Sequence, residues 1–117
     1  MKNGIYRVEF TTNAGNLGVA AIVVRNQSVV GADGLQFYRG TFEQVGTRLT
    51  LVMEVTRHNF AVESAFGEQS LFTLQWEGEA LSETSFKAIC QPPGGQLTLY
   101  VRGRMLEATD SEYDAFA

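Results

Sequence analysis

With 117 residues, 44% of them hydrophobic and 19% charged, the chain has the composition of a single soluble globular domain, long enough to bury a core and too short to divide into two. No apolar run approaches the roughly 18 residues of a membrane-spanning helix, so no membrane association is expected. The 13 Asp and Glu against 9 Lys and Arg give a net charge of −4, and four of the acids, Glu107, Asp110, Glu112 and Asp114, lie past residue 106, which leaves a neutral body, an acidic tail and no basic surface for nucleic acid.

The start of the chain alternates. Tyr6, Val8 and Phe10 are separated by Arg7, Glu9 and Thr11, a period of two that predicts a strand with one apolar and one polar face. Charges fall among the apolar residues there before a signal-peptide core could develop, so no export is expected and the cytoplasm is the default location. The next stretch, 17–25, is nearly all small or β-branched. Such a composition suits either a strand packed on both faces or a strand at a subunit contact, and the second reading assigns Val19, Ala21 and Val23 to a dimer contact.

Asn26-Gln27 stands at the two-residue spacing of a hairpin turn, with Asn suited to its left-handed position. A short third strand runs into the glycine-rich corner Gly31-Ala-Asp-Gly34, where the glycines suit a tight reversal or a close backbone approach. The fourth strand covers about 35–43, with Gln36, Tyr38 and Phe42 on one face. The fifth, 47–57, is the most regular in the chain: Leu49, Leu51, Met53 and Val55 share a face that ends in Arg57.

Residues 58–70 break the period and read as a crossing loop, with at most one short helical turn within 60–68. Alternation returns at Phe72, Leu74 and Trp76, at Phe86, Ala88 and Cys90, and at Leu97, Leu99, Val101 and Met105, where Arg102 and Arg104 share the other face. Pro92 and Pro93 sit in one connector, clear of any ladder. Eight strands joined mostly by short connectors favour an all-β, eight-stranded antiparallel up-and-down barrel over a two-sheet sandwich, with one domain over 1–106 and an acidic tail over 107–117.

Chemistry is sparse. One histidine, His58, and one cysteine, Cys90, have no metal-like or nucleophile-like companions in sequence, so neither a catalytic site, a metal nor a cofactor is expected. His58 reads as a surface residue or a structural donor, and Cys90 as a small buried hydrophobe. The barrel interior either holds a small apolar ligand or is simply filled by side chains, with aromatic walls from Tyr6, Phe10, Tyr38, Phe42, Trp76, Phe86 and Tyr100, and with Arg57 at the end of its face, reaching the rim, pairing or lining a polar interior. Once the barrel closes, Arg102 and Arg104 come beside Arg7 and Glu9 of the first strand.

The order of four short motifs, Asn3-Gly4-Ile5-Tyr6, Tyr38-Arg39-Gly40, Arg57-His58-Asn59 and Val101-Arg102-Gly103-Arg104, resembles the GrlR-like family, small bacterial proteins named for a negative regulator of type III secretion genes. The resemblance spans about residues 1–106. It implies an eight-stranded barrel of lipocalin-like shape, a homodimer, and negative regulation by sequestering a helix-turn-helix transcriptional activator without direct contact to DNA. The family's regulator meets its partner through an acidic Glu-Asp-Glu-Asp loop. This chain instead reads Glu43-Gln44-Val45-Gly46-Thr47, leaving Glu43 as the one acid at that turn, with Arg102 and Arg104 as further candidate partner contacts.

Overall fold

In the computed structural model the described residues are 1–15, 17–59, 71–92 and 97–109. They form eight strands, β1 (Gly4–Thr12), β2 (Leu17–Arg25), β3 (Ser28–Ala32), β4 (Gln36–Val45), β5 (Arg48–Arg57), β6 (Leu71–Ser82), β7 (Ser85–Cys90) and β8 (Leu99–Ala108). Each pairs antiparallel with the next, and β8 returns to pair with β1, so the sheet closes into an up-and-down barrel in chain order. Closure removes the sheet edges and leaves every strand with an inner and an outer face.

The two-residue alternation maps onto those faces. Tyr6 and Val8, Ala20, Ile22 and Val24, Gln36 and Tyr38, Met53 and Val55, Leu74 and Trp76, and Leu99 and Val101 are buried inside. Between them stand charged or polar outer residues such as Arg39, Glu54, Thr73, Glu77 and Arg102. One large ring is accommodated by glycine in the neighbouring strand: Phe86 is in register with Gly103, where a Cβ would run into the Phe86 ring.

Several boundaries differ from the sequence reading. β6 runs to Ser82, past Trp76 as the last large apolar residue of the alternation, with Gly78 and Ala80 keeping the inward period. β4 reaches Val45, opposite Arg48. β8 begins at Leu99 and continues to Ala108, where Glu107 pairs with Ile5 and Ala108 with Gly4, so the first residues of the acidic segment complete the seam of the barrel. The helical turn expected within 60–68 lies outside the described residues, as does the segment 110–117.

The turns follow their residue chemistry. Asn26 takes the left-handed conformation, φ 55°, that the β2–β3 hairpin needs. At the β3–β4 corner one of the two expected reasons for glycine, close backbone approach, applies, and at Gly31 alone. Gly31 and Gly34 do not have positive φ; a Cβ at Gly31 would run into the Ala21 carbonyl oxygen and Ile22, whereas Gly34 faces open space. Close strand approach explains Gly31. The corner itself is turned by Asp33, whose Oδ1 accepts hydrogen bonds from the backbone N–H groups of Leu35 and Gln36, each at 2.8 Å.

Candidate functional site: the barrel interior and its polar corner

The interior encloses a cavity of about 280 Å³. Its walls come from every strand but are dominated by apolar side chains, among them Phe10, Phe42, Leu51, Met53, Leu74 and Trp76. Three rings meet across the lumen. Phe10 on β1 lies 5.9 Å from Tyr38 on β4 and 6.4 Å from Trp76 on β6, centroid to centroid, in the tilted geometry that aromatic pairs favour.

Polar groups gather at one end. Tyr38 donates its phenolic O–H to Asp33 Oδ2, and Gln36 is 2% exposed beside it. Burial, then the hydrogen bond to Asp33 and the charge of that carboxylate, push the Tyr38 phenol far above its ordinary value of 10.0. The outside of the corner is stapled to the end of β5. His58 donates Nε2–H to the Asp33 carbonyl oxygen at 2.9 Å, which fixes the ring tautomer because a carbonyl can only accept. The backbone N–H of His58 and that of Asn59 donate to the Leu35 carbonyl at 2.9 and 3.1 Å, and Asn59 Nδ2 donates to the Gly34 carbonyl at 3.2 Å. His58 is thus a structural donor, holding the polar end in place.

Of the interior residues predicted for a ligand, Tyr38, Phe42 and Trp76 line the cavity and Tyr6 and Arg57 do not. Tyr6 is fully buried, but its O–H donates to the Lys2 carbonyl at 2.6 Å at the opposite end, where its ring packs 6.1 Å from that of Phe86. Arg57 ends its face opposite Gln36 and turns its Nε to the Asn59 carbonyl, 3.2 Å away. Tyr100, expected among the aromatic walls, is 44% exposed on the outer face of β8, as the alternation with Leu99 and Val101 requires. The cavity also takes in Leu35 and Asp33, corner residues with no strand period to mark them.

Cys90, at the inner face of β7, is 2% exposed and does not line the cavity; burial pushes its thiol up to about 11 despite a hydrogen bond from the Gln75 backbone. Among the described residues no three His, Cys, Asp or Glu side chains come together as metal ligands.

The outer residues separate into two regions. Arg102 and Arg104 are in register with Glu9 and Arg7 of β1, as expected from closure, and Arg7 is ion-paired to Glu9. Glu43 is exposed on β4, four strands away from β8 and so on the far side of an eight-stranded barrel. The three residues proposed as partner contacts therefore do not share a face. Val19, Ala21 and Val23 are exposed on β2, and their register partners on β3 extend the strip: Val30 lies opposite Val23 and Ala32 opposite Ala21. Val19, Val23 and Val30 each remain 44–47% exposed.

No family model matches the chain, and no curated protein matches it either.

Proposed function

We propose that this protein binds a small apolar molecule inside its barrel, as a carrier or a sensor. The observation that carries the reading is the cavity: about 280 Å³, enclosed by side chains of all eight strands, apolar along its length and polar at one corner. Small-molecule sites combine such a concave apolar wall with a few placed polar groups, and the mouths and interiors of small barrels are among the places they occur. The test is a thermal unfolding series in rising pentylbenzene. A ligand held only by the folded state adds about 2.7 kcal/mol at one hundred times its Kd, and Tm rises accordingly. The rise disappears in Leu51→Trp, whose larger ring projects into the cavity. A Tm in the unaltered protein that responds neither to pentylbenzene nor to polar or charged aromatic probes of its size overturns the reading.

A second reading is favoured by the apolar strip on β2 and β3. An exposed row of Val19, Ala21, Val23, Val30 and Ala32 is the kind of patch that protein contacts cover, and it supports a homodimer joined through these strands. Together with the resemblance to the GrlR-like family, it also supports a non-enzymatic regulator that sequesters a helix-turn-helix activator, with ligand occupancy and protein contact combined in one molecule. Purification of the tagged protein from its own cells with native mass spectrometry tests this: a stoichiometric helix-turn-helix protein supports the regulator, and a bare barrel counts against it.

A further inference from the structure

Within the cavity wall one polar group is left over. Trp76 is 5% exposed and lines the cavity, and its indole Nε1–H is the buried side-chain donor without a hydrogen-bond partner among the described residues. Buried donors in folded proteins are nearly always paired, because leaving one unmet costs about 1–3 kcal/mol. The other polar side chains of the wall have partners of their own: Thr12 Oγ1 accepts from the Ala14 N–H at 3.1 Å, and Gln36 too is partnered. The Tyr38 O–H is committed to Asp33, and the Asp33 carboxylate accepts from Leu35, Gln36 and Tyr38 at the corner. An indole N–H donates and never accepts, so what completes this site must bring an acceptor.

Charge narrows the choice. Among the described lining residues there is no Lys, Arg or His side chain, and the one carboxylate is Asp33. A carboxylate ligand would lie without a counter-charge in an apolar lumen and near another carboxylate, and burying such an unpaired charge is strongly unfavourable. Size narrows it further. A cavity of about 150 Å³ takes a benzene, so 280 Å³ corresponds to about eleven non-hydrogen atoms.

Resting on the ligand-binding reading above, we infer that the interior site selects an uncharged, largely apolar molecule of about eleven non-hydrogen atoms bearing one carbonyl-type oxygen, which accepts the hydrogen bond of Trp76 Nε1–H. The class comprises ketones and esters of medium length, alkyl or aryl; hydrocarbons of the same size lack the acceptor, and the corresponding acids carry the wrong charge.

Three probes of about that size separate these features: butyrophenone, with a carbonyl; pentylbenzene, with no polar atom; and 3-phenylpropanoate, with a carboxylate. Binding is measured by calorimetry and by the indole ¹H–¹⁵N cross-peak, which belongs to Trp76 alone because the chain has a single tryptophan. Butyrophenone is expected to bind about tenfold tighter than pentylbenzene, the factor one net buried hydrogen bond supplies, and to move the indole proton downfield. At pH 8, 3-phenylpropanoate is expected to bind weakest of the three. In Trp76→Phe the ratio of ketone to hydrocarbon affinity is expected to fall to about one, whatever the change in either affinity alone; should that variant not fold, the cross-peak of the unaltered protein decides. Equal affinity for ketone and hydrocarbon, an unmoved indole proton, or tightest binding of the acid each overturns the inference while leaving the ligand-binding reading intact. Absence of binding by all three removes the underlying reading and the inference with it.

Discussion

Asp33 joins the corner to the interior. One carboxylate oxygen turns the chain by accepting from Leu35 and Gln36, while the other holds the Tyr38 phenol. Truncating it in Asp33→Ala strands a buried hydroxyl and two turn N–H groups, so the unfolding free energy measured in urea is expected to fall by about 2 kcal/mol. The same arrangement predicts an alkaline limit. Because the folded state keeps Tyr38 protonated above the ordinary value of 10.0, the unfolded chain releases that proton first as pH rises. The contribution is fully present below pH 10 and is lost above it, at up to about 1.4 kcal/mol per pH unit. Tyr6 shifts in the same direction through burial. Urea midpoints taken at pH 8 and pH 11 are expected to drop more in the unaltered protein than in Tyr38→Phe; equal drops contradict the account.

Among the strands, β3 is the shortest, five residues bounded by a hairpin and a corner, and its pairing depends on how closely it approaches its neighbours. Gly31 sits where β2 and β3 come together, with Ile22 on one side and Tyr38 on the other. Gly31→Ala places a methyl group against backbone atoms that cannot swing aside, and is expected to cost about 1–3 kcal/mol. Gly34→Ala, three residues along, meets nothing within 4 Å and has no positive φ to protect, so its effect stays within about 0.5 kcal/mol. Chemical denaturation of the pair separates close approach from turn conformation: equal effects would mean that the glycines act through the turn. At the seam, the Thr109 N–H donates to the Asn3 carbonyl at 3.1 Å just beyond the last β1–β8 pair, so closure is carried to the end of β8.

For the whole molecule, the inner faces of the strands supply the core and the cavity, and the outer faces supply the surfaces a partner meets. The valine strip of β2 and β3 adjoins Arg7 and Glu9 on one side and Arg39, the register partner of Val30, on the other, an apolar centre with a charged rim. Interfaces between like subunits have that composition. Val19→Glu and Val23→Glu are expected to convert a dimer into a monomer in sedimentation equilibrium, with Tm little changed because each side chain points away from the core. A dimer of unchanged mass in the two variants moves the contact elsewhere.

The sequence by itself determined the class of the fold, the number of strands and their antiparallel order, because a period of two repeated between short connectors leaves few ways to bury eight apolar faces. It also separated inner from outer residues along β1 and β5, whereas on β8 Tyr100 was placed among the interior walls and stands on the outer face. A boundary escaped it where the seam extends a strand, as at Glu107. Only the tertiary structure decided which aromatic side chains line a cavity and which close an end. Tyr6 and Tyr38 occupy equivalent places in alternating patterns, yet one reaches the Lys2 carbonyl and the other Asp33 beside the lumen. It also decided that Trp76 keeps an unpaired donor there and that Glu43 and Arg102 lie on opposite sides. Periodicity specifies the face a side chain takes, whereas its depth, its partner and the space left beside it depend on strands distant in sequence.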